Sequence, residues 1–140
     1  MQDEIGNLIW TLDGDTLTIS GAGEMESYNT FGKGKTPWFE QRHSIKKIFI
    51  ADGVTKIGMS AFKYCANLTE VKIPDTVTEI GDCVFALCTG LREIKIPAQV
   101  TYLDEEVFVG CTSLERIYYK AGSGFEENLS QGNNAEFIPY

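Results

Sequence analysis

The sequence predicts an α/β solenoid: a short right-handed coil of repeated units with a parallel strand ladder, capped by an N-terminal β-hairpin and an irregular C-terminal segment. Three observations carry this. An apolar pattern recurs every 23 residues, each unit contains one short alternating strand, and both ends depart from the pattern.

The repeat is the strongest signal. Ile48, Val71, Ile94 and Ile117 are each 23 residues apart, and Ile50, Ile73, Ile96 and Tyr119 keep the same step. So do Val54, Val77 and Val100; Ile57, Ile80 and Leu103; Phe62, Phe85 and Phe108; Cys65, Cys88 and Cys111; and Leu68, Leu91 and Leu114. The polar Thr55, Thr78 and Thr101 recur as well.

Each unit reads as one coil. Ile/Val-x-Ile is a strand whose alternate side chains point inward. Pro74 and Pro97 end it, because proline cannot extend a ladder. Val-Thr-x-Ile is a second extended arm. Gly58, Gly81 or Asp104 then turns the chain into a brief helix or 3₁₀ turn carrying Phe and Cys on one face. A single coil cannot bury its apolar face, so the coils stack and share a core.

Upstream the pattern weakens. Phe39 and Ile45 precede Phe62 and Leu68 by one period, predicting a divergent coil whose strand is Leu17-Thr18-Ile19, with the Gly-rich stretch 21–34 inserted before Trp38. Asp13-Gly14 predicts a hairpin pairing Trp10 with Leu17 and Leu8 with Ile19. At the other end, residues 125–129 suit one helical turn and Phe137-Ile138 a last strand. The expected organisation is one domain: cap and divergent coil over 1–47, three regular repeats over 48–116, and a last strand with its cap over 117–140.

These residues resemble the BspA-like bacterial leucine-rich repeats, whose unit runs strand, Pro, Val-Thr-x-Ile-Gly, Ala-Phe, Cys, Leu. Residues 73–81, followed by Phe85, Cys88 and Leu91, match closely; Ile96-Pro97 with Val100-Thr101, Phe108, Cys111 and Leu114 match again. The stretches 8–12 and 17–21 and Pro37-Trp38 resemble the cap that precedes such arrays. Asp104 in place of glycine, and Ala51 and Lys120 in place of proline, depart from the unit. The resemblance implies a part of an exported or surface-anchored bacterial protein engaged in adhesion and binding.

Composition narrows the function. A formal charge of −8 argues against nucleic acid or an anionic membrane as partner. No apolar stretch is long enough to span a bilayer. Residues 1–9 do not read as a signal peptide, which leaves a cytoplasmic chain or the mature part of an exported one.

No catalytic, metal or cofactor site is predicted. Cys65, Cys88 and Cys111 share one repeat position, and stacked parallel Cβ vectors about 4.8 Å apart are poorly placed for disulfides; they read as buried structural thiols. Cys83 is off that register and is the reachable cysteine. His43 is remote from the column, so zinc is not expected. Gly34-Lys35-Thr36 lacks the glycine that a phosphate-binding loop needs five residues earlier, where Asn29 stands. Asn67-Leu68-Thr69 and Asn128-Leu129-Ser130 match the glycosylation pattern, the first within the repeat frame.

The candidate partner-binding residues are the strand positions facing away from the core. One column is Lys47, Glu70, Glu93 and Arg116; the next is Phe49, Lys72, Lys95 and Tyr118. With two aromatics and two lysines, the second column suits an acidic or carbohydrate-bearing ligand, and the resemblance implies that the partner is a protein or glycan on another cell or surface. Glu70 and Glu93 stand beside the lysines and could neutralise them. The alternative is a purely structural spacer with no ligand of its own.

Overall fold

A computed structural model describes residues 2–28, 35–130 and 132–140. It is a parallel-strand solenoid of about four turns, with few helices.

The N-terminal cap is a three-stranded meander: β1 (Gln2–Ile5), β2 (Leu8–Asp13) and β3 (Thr16–Gly21). The hairpin exists but its register differs from the expected one. Trp10 pairs with Ile19 and Leu12 with Leu17, leaving Gly14 and Asp15 as the two loop residues. Gly14 has φ +59°, which a glycine adopts without the Cβ penalty, so it takes the first central place of the turn. The shift is two residues, so the inward face is preserved: Leu8, Trp10, Leu17 and Ile19 are all buried. β1 is a strand that the periodicity did not reveal.

β3 also opens the coil. Thr16 to Ile19 pair in parallel with β5 (Lys47–Ile50), which pairs in turn with β7 (Glu70–Lys72). The insert is partly structured, because β4 (Gly23–Glu24) forms the second arm of this divergent coil. It lies beside β6 (Val54–Ile57), then β8 (Glu79–Ile80) and β10 (Tyr102–Leu103). The recurring threonines serve this side. The Thr78 and Thr101 amides donate to the carbonyls of Thr55 and Thr78, both at 2.9 Å.

The third side is not helical in the regular coils. It is a string of turns that hydrogen-bonds to its neighbours: Phe62 N–H donates to the Val84 carbonyl (3.0 Å), and Phe85 N–H to Val107 (3.0 Å). Ser60 and Tyr64, Cys83 and Leu87, and Glu106 and Gly110 have positive φ at matching positions. Two left-handed residues per coil flip the backbone, so amides point along the stack instead of up a helix. Among the described residues, helical geometry survives only in a 3₁₀ segment, Phe39–Ser44, and in α1 (Glu126–Leu129).

The predicted inward registers form one core. Trp38, not Phe39, heads its aromatic column, stacking on Phe62 with centroids 5.8 Å apart; Phe62, Phe85 and Phe108 follow at 5.7 and 5.8 Å. The Trp38 Nε1–H donates to the Ala61 carbonyl at 2.9 Å, while half-buried Phe39 lies under the Arg42 guanidinium. The last coil closes with β9 (Glu93–Lys95), β11 (Arg116–Tyr119) and β12 (Glu136–Pro139), all parallel.

Candidate binding face

Alternation sets the face. In β5, β7, β9 and β11 the inward residues feed the core, so Lys47, Phe49, Glu70, Lys72, Glu93, Lys95, Arg116 and Tyr118 lie on the other side. Strand register brings Lys47 beside Glu70 and Phe49 beside Lys72; in the next sheet Glu93 lies beside Arg116 and Lys95 beside Tyr118. Phe49 is exposed as expected. Tyr118 is only half-buried rather than fully exposed, because β12 pairs Ile138 alongside it.

Neither neighbouring glutamate neutralises the lysines. Glu93 is taken by Arg116, whose Nε and Nη2 donate to Glu93 Oε2 at 3.1 and 3.0 Å. Among the described residues, Lys72 and Lys95 form no ion pair. Each rests on an aromatic ring: Lys72 Nζ is 5.6 Å from the Phe49 centroid and Lys95 Nζ 4.8 Å from Tyr140. Tyr140 was missed at the sequence level, since it lies outside the repeat. β12 returns it to this face, where its hydroxyl donates to the Ile96 carbonyl at 2.6 Å. Desolvation, helped by Asp75, raises the Tyr140 phenol, keeping it a donor.

The strand ladder on this face is interrupted. β7 ends one sheet and β9 begins another, with no strand pairing between them. Thr69 and Glu70 amides reach back to Lys46, and Glu115 and Arg116 amides to Arg92. Among the described residues the equivalent bonds from Arg92 and Glu93 to Thr69 are not made. Two hollows of about 350 and 390 Å³ flank the break and share Val71 and Lys95. Within the regular repeats from Ile48 onward, only Val71 and Ile73 of the predicted core registers are half-exposed, and both line the first hollow.

The remaining candidates fall elsewhere. Cys65, Cys88 and Cys111 are buried and carry no disulfide; the Cys88 and Cys111 thiols donate to the Phe62 and Phe85 carbonyls at 3.3 and 3.0 Å. On the turn side, ligand atoms of Asp82, Cys83 and Glu106 lie within 4.8 Å of one another, a grouping the sequence reading did not foresee. Desolvation and then Asp82 push the Cys83 thiol up to about 11, so it is a protonated donor and not a nucleophile near neutrality. His43 is exposed, and its carbonyl accepts Asn67 Nδ2–H at 2.6 Å; Asn128 Nδ2–H donates to Leu103 at 2.6 Å. Both glycosylation-pattern amides are thus engaged by backbone. Lys35 pairs with Glu40, while Asn29 and Gly34 lie outside the described residues.

Stacked parallel coils with one repeat-built core define a leucine-rich-repeat solenoid. Residues 35–132 match the BspA type leucine rich repeat region in six copies, and the chain belongs to that family. Solved structures of similar fold include a leucine-rich repeat protein from Eubacterium ventriosum (TM-score 0.60, 23% identity) and one from Bacteroides ovatus (0.59, 19%). They overlap 84% and 89% of this chain, which spans only 43% and 42% of their lengths. The leucine-rich repeat protein of T. pallidum is also similar, at TM-score 0.51 and 17% identity over 99% of this chain and 85% of that one. No curated protein matches the chain. The family and fold are typically non-enzymatic, and no described helix is long and apolar enough to cross a membrane.

Proposed function

We propose that this domain is a non-catalytic binding module of an exported or cell-surface bacterial protein, contacting a protein or glycan on another cell or surface through its strand face. The observation that carries this is the state of Lys72 and Lys95. Both ammonium groups are exposed, lack ion pairs among the described residues and are poised over aromatic rings beside two hollows. Ammonium and aromatic groups in this arrangement supply directional contact and apolar area to a ligand.

A screen of immobilised glycans and surface proteins tests the reading. Binding that is lost on combining Lys72→Ala with Tyr118→Ala, in a protein that still folds, supports it. Binding that survives those changes but falls on altering the opposite side at Leu87 and Val109 overturns the choice of face. Binding to nothing favours a spacer.

A further inference from the structure

Cys83 lies off the buried thiol column, on the turn side of its coil, with Asp82 beside it. Cys83 and Glu106 occupy the same step of successive coils, and their φ angles match at +58° and +60°. The same backbone geometry one rung apart brings the two side chains together. Cys83 Sγ lies 3.8 Å from Glu106 Oε2, and ligand atoms of all three residues lie within 4.8 Å of one another. The repeat thus gathers a thiol and two carboxylates from two coils.

Asp82 carries a second, independent mark. Its Oδ1 atom is buried and has no hydrogen-bond partner. A buried carboxylate oxygen left unpaired is costly, and a bound counter-ion offsets that cost. The protein's own cations do not supply one: among the described residues, neither Asp82 nor Glu106 forms an ion pair. Lys63 acts on the Cys83 thiol from nearby, but its Nζ rests over the Tyr64 ring at 5.4 Å. Asp82 also lines a hollow of about 310 Å³ with Asp104 and Glu79, where Lys56 is already paired with Glu79. An incoming cation therefore approaches Asp82 through a negatively charged mouth.

Dimensions and donor chemistry select the ion. Zinc lies about 2.3 Å from sulfur and about 2.1 Å from a carboxylate oxygen, which sets the two ligand atoms about 3.6 Å apart at a tetrahedral angle and about 4.4 Å apart at most. The 3.8 Å between Cys83 and Glu106 falls inside that range. Calcium and magnesium take oxygen ligands and more of them, so a thiol with two carboxylates favours a borderline ion. We propose that Asp82, Cys83 and Glu106 form a zinc site that clips two successive coils together on the turn side. As the sulfur–zinc bond forms, the Cys83 thiol releases its proton to solvent, while the carboxylates bind as they are. Three protein ligands leave one position for water or for a donor from outside. The site is separate from the strand face and does not rest on that reading.

The test is calorimetric titration of the whole reduced chain with zinc chloride, in two buffers of different ionisation enthalpy so that released protons are counted. We expect a single zinc per chain with about one proton released, because the thiol is protonated near neutrality. Cys83→Ser, Glu106→Gln and Asp82→Asn should each weaken binding about tenfold or more. In the parent protein, bound zinc should shield Cys83 from a thiol reagent, a readout that needs no variant. Cobalt in place of zinc should show a sulfur-to-metal charge-transfer absorption that Cys83→Ser loses. Equal zinc binding by Cys83→Ser overturns the site, as does uptake that leaves Cys83 freely reactive. Binding lost with His43→Ala but kept in the three variants would move the ion elsewhere, and no saturable uptake at all would end the proposal.

Discussion

The Trp38 and Phe62 rings stack 5.8 Å apart although the residues are 24 positions apart, one more than the repeat. The extra residue lets Trp38 end the phenylalanine column and meet Trp10 and Tyr28 edge-on at 5.8 and 6.0 Å. The aromatic column therefore joins the cap to the regular coils. Phe85 lies at its centre with no exposed surface. Phe85→Ala is expected to cost about 3–5 kcal/mol, against a total of about 5–15 for a small domain. Urea unfolding measures this, and a loss below about 1 kcal/mol would contradict the column.

Glycine contrasts test the packing of the cap. A Cβ at Gly58 would run into the Glu26 carbonyl, because the 24–28 segment passes directly against the 57–59 backbone. Gly58→Ala should destabilise by about 1–3 kcal/mol through forced backbone movement. Gly14 has open space around it and only the left-handed φ against substitution, so Gly14→Ala should cost about 1–2 kcal/mol. Thermal melts of both, compared with the parent, give the order; a harmless Gly58→Ala would place the 24–28 arm elsewhere.

Much of this core was legible because inward positions are under one simple demand, repeated each coil. What escaped had physical reasons. Positive φ at Ser60, Cys83 and Glu106 leaves no compositional mark, so the apolar spacing alone suits a brief helix or 3₁₀ turn. The hairpin register turned on whether Gly14 takes the second or the first central place of the turn, which shifts the pairing by two residues. Tyr140 reaches the binding face only through the path of β12. The break between β7 and β9 leaves no mark in the sequence: Val71 and Ile73 are as apolar as their register partners, and only the unmade bonds beside them expose it.

The thiols should respond to alkali in a defined direction. Burial pushes Cys65 up to about 12 and Cys88 well above its ordinary 9.0. Below pH 9 both folded and unfolded thiols are protonated, and the stability associated with the shifts is fully present. Above it the unfolded chain loses protons that the folded chain keeps, so stability falls as pH rises toward 12. Urea midpoints between pH 8 and 11 should decline, and replacing Cys65 by Ala should flatten that decline. In the native protein a thiol reagent should reach Cys83 first, with mass under non-reducing conditions accounting for four unlinked cysteines.

Arg116 provides a test of the face that needs no known partner. Its guanidinium holds Glu93 from the neighbouring strand, and Glu93 lies two residues from Lys95 on the same side of β9. With Arg116 removed, the Glu93 carboxylate loses its partner, and Lys95 is a cation on the same side of β9 with no ion pair among the described residues. Arg116→Ala should therefore draw Lys95 from Tyr140 toward Glu93, at little cost in unfolding midpoint, since exposed ion pairs contribute little. Lys95 should become slower to acetylate, because its ammonium is then held against a carboxylate instead of lying open over the ring. Arg116→Ala combined with Glu93→Gln should restore the parent rate. If Lys95 reacts equally fast in all three proteins, Arg116 does not keep the lysine available, and the charge arrangement argued for the binding face fails at this position.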